Sequence, residues 1–366
     1  MVKVLVVDDS AFVRRSLISI LEKDKDIQVA GTAANGEEAV AKAAELDPDV
    51  ITMDVEMPKM NGLKALERIM TTNPIPVIMV SSITSEGAAT TLRAMELGAM
   101  DFIPKLGSGN LHDTQRIEKE LCPKIKAISR RKAFLRLKFK NASGRQATIN
   151  ACTLPPRTQS PAPAPRIPYT GGCVPFEIVA VGVSTGGPPA VQRVLSELPG
   201  NFPVPVLIAQ HMPASFTGPF AERLNNQCAV NVKEAEPVER VRPGTVYICP
   251  GGKHLRLENK SGSLIAVVTE EPKEALYKPS ANVLMETVGI AAGSKALGVT
   301  LTGMGYDGLE GTKVLKQRGG WAIAQNEESC VVYGMPKAVV DAGLADEIVD
   351  IKDMSATILA HFQRKA

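Results

Sequence analysis

The run Ile178-Val-Ala-Val-Gly182, with the turn Val183-Ser184-Thr-Gly-Gly187 directly after it, decides the fold of the second half of this 366-residue chain. A short, continuous apolar run rich in β-branched residues is typical of a strand that is buried on both faces. Such strands belong to parallel sheets covered by helices on both sides. An amphipathic helix is predicted after the turn, over residues 190–198. The stretch therefore predicts an α/β domain.

Similar runs recur along the chain, with helical patterns between them. They lie at residues 3–7, 50–53 and 76–80 in the first half and at 204–208 and 297–301 in the second. Each half is therefore predicted to be a doubly wound parallel sheet, flavodoxin-like in the first half and Rossmann-like in the second. In such sheets, ligands and reactive groups gather at the carboxyl ends of the strands.

A segment without acidic residues separates the two halves. Between Lys126 and Gly172 there are ten basic residues and no Asp or Glu, and the later part is rich in proline. Proline-rich chain favours extended conformations over packed structure. We therefore predict a first domain at 1–125, a basic linker at 126–175 and a second domain at 176–366. A helical pattern at 118–140 predicts that the last helix of the first domain continues into the linker.

Composition excludes several classes of protein. The 42 Lys and Arg residues nearly balance 39 Asp and Glu residues, and the basic linker lacks the aromatic platform of a base-reading module, so no nucleic acid is expected as a partner. The six cysteines form no CxxC pair, which argues against a disulfide framework or a zinc site. No signal peptide or membrane-length apolar run is present, so a cytoplasmic protein without membrane insertion is predicted.

Five polar residues are expected at one edge of the first sheet. Asp8 and Asp9 follow the first strand, Asp54 ends the third, Ser81 ends the fourth, and Lys105 follows a fifth strand predicted at 100–104. Three converging carboxylates repel each other unless a cation lies among them, and oxygen ligands suit Mg²⁺. A lysine and a hydroxyl beside that ion would hold phosphoryl oxygens, which makes Asp54 the predicted phosphoryl acceptor. Taken alone, Ser81 is better explained as a helix N-cap.

Together these residues resemble the receiver domain of two-component response regulators over residues 1–125. The motifs that carry the resemblance are Asp8-Asp9, Asp54, Met57-Pro58, Asn61-Gly62 and Lys105. The resemblance implies that Asp54 takes a phosphoryl group from a kinase histidine, that Asp9 ligates Mg²⁺ with the help of Asp8, and that Phe102 is an aromatic switch residue. The chain departs from the family at Leu106, where receivers usually have proline.

In the second half, Ser184 lies in a Gly-x-Ser-x-Gly sequence with the spacing of a nucleophile elbow. Glycines relieve crowding at such a turn and lift the hydroxyl to the edge of the sheet, near a helix N-terminus. The same turn is equally explained as a phosphate-binding nest. A dinucleotide site would need an acidic residue at the end of the second strand, and that strand ends in Gln210-His211. This difference favours the nucleophile.

His211 and Asp307 complete a predicted catalytic triad with Ser184. His211 directly follows a strand, whereas His361 lies in a predicted terminal helix and His254 lies in a predicted loop, where it competes as the base. Asp307 follows the strand at 297–301. A carboxylate there would fix the tautomer of His211 and stabilise its cation, and it would also serve as an N-cap.

The second half resembles the chemotaxis protein-glutamate methylesterase family over residues 176–361. The motifs lie at residues 182–187, 210–213, 246–254 and 302–308. The resemblance implies that Ser184 attacks the γ-methyl ester of receptor glutamates with His211 and Asp307 in support, that methanol leaves, and that water hydrolyses the acyl-enzyme. It also implies deamidation of receptor glutamines and an oxyanion donor at the amide of Met304. Thr185 is a weaker candidate for a supporting residue behind the donor. No cofactor is expected in this domain.

The two resemblances together predict a phosphorylation-activated esterase. The unphosphorylated receiver would cover the Ser184 site, and phosphorylation of Asp54 by a chemotaxis histidine kinase would expose it to chemoreceptors. Two alternatives stay open: a second domain that binds a protein or nucleotide without catalysis, and a hydrolase of another ester or amide. The chain also departs from the family at Asn282, where an acidic residue is expected.

Overall fold

The computed structural model describes residues 1–81, 84–105, 111–137 and 176–363. The chain divides into two compact units, one on each side of the segment 138–175. Most of the predicted linker, and Leu106, lie outside the described residues. Within the described ranges, no helix combines the length and apolar character of a membrane span.

The first unit is a five-stranded parallel sheet with the order β2-β1-β3-β4-β5. Its strands are β1 (Val2–Val7), β2 (Ile27–Ala33), β3 (Val50–Asp54), β4 (Val77–Ser81) and β5 (Asp101–Pro104). Its helices are α1 (Ala11–Leu21), α2 (Gly36–Leu46), α3 (Gly62–Thr72), α4 (Ser85–Glu96), α5 (Leu111–Ser129) and the short α6 (132–137). The bounds of the buried strands β3, β4 and β5 lie within one residue of the predicted ones, and the predicted doubly wound sheet is confirmed.

The Asn61-Gly62 pair shows how the sequence shapes this unit. Asn61 caps α3 by accepting a hydrogen bond from the amide of Lys64. A Cβ atom on Gly62 would lie 2.0 Å from the carbonyl oxygen of Asp54. Only glycine therefore lets the start of α3 pack against the end of β3, where Asp54 lies.

The first part of the basic segment packs on the first unit. Helix α5 continues past the predicted limit at residue 125 and ends at Ser129, and a turn separates it from α6. In α6, Lys132 forms an ion pair with Asp49 at 3.3 Å, and Arg136 pairs with Asp47. The helix predicted over 118–140 is thus divided into two.

The second unit contains a seven-stranded parallel sheet with the order β15-β14-β13-β6-β7-β10-β8. Its strands are β6 (Ile178–Val183), β7 (Val206–Gln210), β8 (Asn231–Glu234), β10 (Thr245–Ile248), β13 (Ala296–Thr300), β14 (Trp321–Gln325) and β15 (Glu347–Val349). Its helices are α7 (Gly187–Ser196), α8 (Ala214–Gln227), α9 (Ala281–Ala292), α10 (Leu309–Gln317), α11 (Met335–Asp341) and α12 (Met354–Gln363). The predicted doubly wound sheet is confirmed here as well.

A small antiparallel sheet, which was not predicted, accompanies the large one. It pairs β11 (His254–Lys260) with β12 (Ser263–Thr269), and β12 with β9 (Val238–Arg240). Leu255, Leu257 and Ala266 from this sheet join the core that also contains Leu207 and Leu284. The prediction that His254 lies in a loop was wrong, because it is the first residue of β11 and is fully buried.

The order of the strands fixes the position of the site. Strand β6 has β7 on one side and β13 on the other. The chain leaves β6 towards β7 and later returns on the opposite side with β13, so the sheet has a topological switch point beside β6. Crevices at the carboxyl ends of strands form at such points. Ser184, His211 and Asp307 all lie shortly after these three strands.

Helix α7 begins at Gly187, three residues before the predicted start. Pro188 and Pro189 occupy its first turn. Proline fits there because its fixed φ suits a helix and the first-turn amides have no partner within the helix. The sharp turn after β6 is consequently shorter than predicted and brings the helix N-terminus close to Ser184.

Candidate active site

Glycines position Ser184 at a tight turn after β6. Gly186 has φ +74°, and a Cβ on Gly182 would lie 2.7 Å from the side chain of Ala281. The amide of Ser184 donates to the carbonyl of Thr302 at 3.0 Å, which ties the turn to the end of β13. The turn thus has the left-handed residue and close backbone approaches for which glycine is suited.

The imidazole of His211 lies between Ser184 and Asp307. Its Nδ1 atom is 3.0 Å from Ser184 Oγ, and its Nε2 atom is 2.7 Å from Asp307 Oδ2. The ionised carboxylate of Asp307 can only accept a hydrogen bond, so Nε2 carries the proton and donates it, which leaves Nδ1 free to accept a hydrogen bond from the Ser184 hydroxyl. The ring nitrogens have the opposite assignment to the trypsin triad, in which Nε2 faces the serine. The three predicted residues therefore form one continuous hydrogen-bonded chain.

Four further donors hold the carboxylate of Asp307. The amides of Ala281 (2.6 Å), Asn282 (3.0 Å) and Gly308 (3.1 Å) and the hydroxyl of Ser280 (2.9 Å) all donate to it. Burial alone would raise the pKa of Asp307, but His211 and the amides of Ala281 and Asn282 outweigh burial and lower the pKa below its ordinary value. Asp307 is therefore an anion at the N-terminus of α9, where a helix favours negative charge.

Asn282, where the chain departs from the expected acidic residue, holds the Asp307 turn. Its Oδ1 atom accepts hydrogen bonds from the amides of Gly308 and Gly311, both at 2.9 Å. An amide oxygen thus accepts two backbone bonds at the start of α10. These two hydrogen bonds give Asn282 a structural role, which is to hold the turn that carries Asp307.

The turn that carries Met304 passes directly beside the serine. A Cβ on Gly303 would lie 2.9 Å from Ser184 Cβ, and Gly305 has φ +81°. The amide of Met304 therefore belongs to a turn next to Ser184, and its role as oxyanion donor stays a prediction. Thr185 is buried, and its carbonyl accepts a hydrogen bond from the Thr302 hydroxyl at 2.9 Å. This contact joins the serine turn to the Met304 turn.

His254, the competing base, has a different set of partners. Its Nε2 atom lies 3.2 Å from the carbonyl of Pro272, and its Nδ1 atom accepts a hydrogen bond from the amide of Ser280 at 3.3 Å. Burial lowers the pKa of His254. Both ring nitrogens face backbone groups, so His211 is the candidate base. His361, in α12, forms a hydrogen bond with Glu347 of β15 at 2.5 Å.

Two neighbours of the triad were not identified from the sequence as site residues. Gln210 is buried, and its Nε2 atom donates to the carbonyls of Ser184 at 3.0 Å and His211 at 3.2 Å. Its position at the end of β7 was the signal that could have identified it. Tyr277 stacks on His211, with ring centroids 4.4 Å apart and planes 15° from parallel. It lies in a loop without regular patterning, so the sequence carried no comparable signal.

The first unit brings its predicted acidic residues together. One carboxylate oxygen each from Asp8, Asp9 and Asp54 lies within 4.8 Å of the others. Lys105 Nζ is 2.8 Å from Asp54 Oδ2 and 3.4 Å from Asp8 Oδ2. Burial, reinforced by the charges of Asp8 and Asp9 and opposed by Lys105, raises the pKa of Asp54 to about 6.

The donor set of this cluster fits a hard divalent cation. Asp8 is fully buried, and its Oδ1 atom accepts a hydrogen bond from the amide of Ser10 at 2.9 Å, whereas its Oδ2 atom faces Lys105 at 3.4 Å without a hydrogen bond. A buried carboxylate oxygen without such a bond, beside two other carboxylates, is a suitable ligand for Mg²⁺. The predicted metal ligands Asp8, Asp9 and Asp54 therefore have an arrangement that fits the ion.

Ser81 ends β4, whereas Phe102 lies within β5, where it pairs with Met79 of β4. The Ser81 hydroxyl donates to the carbonyl of Gly87 at 3.3 Å and accepts from the Thr91 hydroxyl at 2.6 Å, so these bonds run to α4. The alternative that Ser81 caps a helix was wrong, because Thr84 is the N-cap of α4. Phe102 is buried in β5.

Comparisons with known proteins match both units. The family model described as CheB methylesterase matches residues 179–358, and the response regulator receiver domain model matches residues 4–114. Protein-glutamate methylesterase/protein-glutamine glutaminase 1 of Oleidesulfovibrio alaskensis is 58% identical over 98% of this chain and 99% of its own. The corresponding protein 2 of Nitratidesulfovibrio vulgaris is 56% identical, with the same coverage.

A crystal structure of the Thermotoga maritima CheB methylesterase catalytic domain is also similar. It is 38% identical and covers 50% of this chain and 98% of that chain, with a TM-score of 0.49.

Proposed function

This chain belongs to the protein-glutamate methylesterase/protein-glutamine glutaminase family, with a receiver domain ahead of its methylesterase domain, and we propose that it hydrolyses glutamate γ-methyl esters on chemoreceptors. We also propose that it deamidates receptor glutamines. The chain of hydrogen bonds from Ser184 through His211 to Asp307 is the observation that carries this proposal.

Acyl transfer follows from this geometry. The Ser184 hydroxyl donates its proton to His211 Nδ1 as Oγ attacks the ester carbonyl, and Asp307 stabilises the imidazolium that forms. The amide of Met304 is our candidate donor to the developing oxyanion, with Thr185 tying its turn to the serine. The imidazolium returns the proton to the departing methoxy group, and methanol leaves. Water then hydrolyses the acyl-enzyme by the same proton route; for glutamine, ammonia takes the place of methanol.

We propose that the first unit controls this reaction. Asp54 would accept a phosphoryl group from the histidine of a chemotaxis kinase, and Lys105 and Ser81 would contact the phosphoryl oxygens. When bound at Asp8, Asp9 and Asp54, Mg²⁺ would offset the negative charge of the carboxylates and the phosphoryl group. Phosphorylation would favour the arrangement of the chain in which Ser184 meets its substrate. Such a switch suits a receiver domain at 1–125 and a catalytic domain at 176–366 that are joined by a linker. We propose that the protein acts in the cytoplasm, where the kinase has its phosphohistidine.

The test is methanol release from membranes that carry methylated chemoreceptors. The intact protein is expected to release methanol, and Ser184→Ala is expected to lose this activity because the nucleophilic oxygen is removed. The melting temperature of the variant serves as the control for folding. Methanol release at the normal rate by Ser184→Ala would exclude the serine mechanism. Turnover of small esters without turnover of receptors would indicate another hydrolase, and turnover of neither would indicate a binding domain.

A further inference from the structure

Tyr277 covers one face of the catalytic imidazole. Its ring stacks on that of His211 with centroids 4.4 Å apart and planes 15° from parallel. Its hydroxyl lies 3.5 Å from the position that a Cβ on Gly305 would take. The side chain therefore extends from His211 to the turn that carries Met304 and Asp307.

The loop that carries Tyr277 is held at several points. We call residues 270–280, between β12 and α9, the covering loop. His254 binds it at two points, through the carbonyl of Pro272 and the amide of Ser280. The carbonyl of Lys278 accepts a third bond, from the amide of Gly252 at 3.1 Å. Hydrogen bonds on both sides of Tyr277 thus hold the loop that carries it.

The same loop also reaches the carboxylate of the triad. Ser280, at its end, donates its hydroxyl to Asp307 Oδ1 at 2.9 Å and is 5% exposed. His254 accepts the amide of Ser280 through Nδ1, so one buried histidine supports the contacts to His211 and to Asp307. The loop is consequently part of the framework that orients the triad.

We propose that Tyr277 is a positioning residue of the esterase reaction, which holds the His211 ring in line with Ser184 and Asp307. This inference rests on the proposed function of that triad. The hydrogen bonds at Nδ1 and Nε2 hold the two nitrogens but leave the imidazole free to tilt about the line that joins them. The stacked tyrosine ring restricts this tilt. The face of the tyrosine ring also favours the cation that His211 becomes during acyl transfer.

Three variants of the full-length protein separate this role from receptor binding. Tyr277→Leu removes the aromatic ring, Tyr277→Phe keeps the ring without the hydroxyl, and Leu276→Ala changes the exposed neighbour on the same loop. Methanol release is measured over a range of methylated receptor concentrations, so that kcat and KM are obtained separately. Wild-type protein in the same assay tests the proposed function itself.

We expect Tyr277→Leu to lower kcat roughly 10- to 100-fold, the scale of a small displacement of a catalytic group, with KM unchanged within about twofold. Tyr277→Phe is expected to restore most of the lost kcat, and Leu276→Ala to retain it. A normal kcat in Tyr277→Leu, an effect confined to KM, or an equal loss in Tyr277→Phe would overturn the inference. If Tyr277→Leu does not fold, Tyr277→Met replaces it and is judged by the same outcomes. An inactive wild type would instead contradict the proposed function.

Discussion

At the scale of single residues, Asp307 keeps its charge in a place where burial opposes it. Four protein donors besides His211 surround its carboxylate, and three of them are backbone amides. Because these amides belong to fixed turns and to the start of α9, they cannot rotate away from the anion. The arrangement orients the carboxylate and keeps the Nε2 proton of His211 directed at it.

Asp307→Asn tests the importance of this anion. An amide there is expected to favour the wrong tautomer of His211 and to remove the charge that stabilises its cation, so kcat for methanol release is expected to fall by about 10⁴-fold. Thermal unfolding of the variant shows whether the fold is retained. A folded variant that keeps more than about a tenth of the wild-type rate would contradict the role assigned to Asp307.

The sequence could predict the residues of the triad because each one follows a strand of a parallel sheet. Strand ends in such sheets meet at one edge, so Ser184, His211 and Asp307 were expected to lie together before any contact was known. Tyr277 and Ser280 could not be found in this way. They reach the site from a loop whose course depends on distant backbone bonds to His254 and Gly252, which no local pattern encodes.

At the scale of elements, continuous apolar runs identified the parallel strands but not the antiparallel sheet. Strand β11 reads His254-Leu-Arg-Leu-Glu-Asn-Lys260, with apolar residues at alternate positions over its first half. This is the pattern of a half-buried strand, and it was present in the sequence. The sequence pattern at 118–140 likewise predicted one helix where the structure has two. The turn at residues 130–131 that separates them has no glycine or proline to mark it.

The second unit is expected to lose stability in mild acid because of His254. Burial lowers the pKa of this histidine, as do Lys278 and Arg256, against the opposing effects of the Pro272 carbonyl and Asp307. In the unfolded chain a histidine has a pKa of about 6.5, so below that pH the unfolded state takes up a proton that the folded state does not. The free energy of unfolding should therefore fall as the pH falls from about 6.5 towards the folded pKa, by at most about 1.4 kcal/mol per pH unit.

Urea denaturation of the intact protein at pH 7.5 and pH 5.5 measures this effect. Trp321, the one tryptophan of the chain, lies in β14 and reports unfolding of the second unit by its fluorescence. The matched variant His254→Gln is expected to be less stable at pH 7.5 but to lose less stability on acidification. An identical loss in both proteins would show that other groups are responsible.

At the scale of the whole molecule, the two units contain different kinds of chemistry. Among the described residues, the one cluster of carboxylates suited to a metal ion is Asp8, Asp9 and Asp54, in the first unit. In the mechanism that we propose for the second unit, Ser184, His211 and Asp307 transfer protons between side chains, and none of these steps uses a metal. The two activities should therefore respond differently when divalent cations are removed.

A small-molecule phosphodonor with Mg²⁺ is expected to increase methanol release by the intact protein about 5- to 150-fold, the usual range for coupling between two sites. A chelator should abolish this increase, because the phosphorylation that we propose at Asp54 uses the cation, but it should leave the basal rate unchanged. Asp54→Asn should show no increase with the phosphodonor even when no chelator is present. Its basal rate should equal that of the wild type because Ser184, His211 and Asp307 are intact. Methanol release with and without phosphodonor measures each case. A basal rate that falls on chelation would place a metal in the catalytic domain, and stimulation of Asp54→Asn would place the phosphoryl group on another residue.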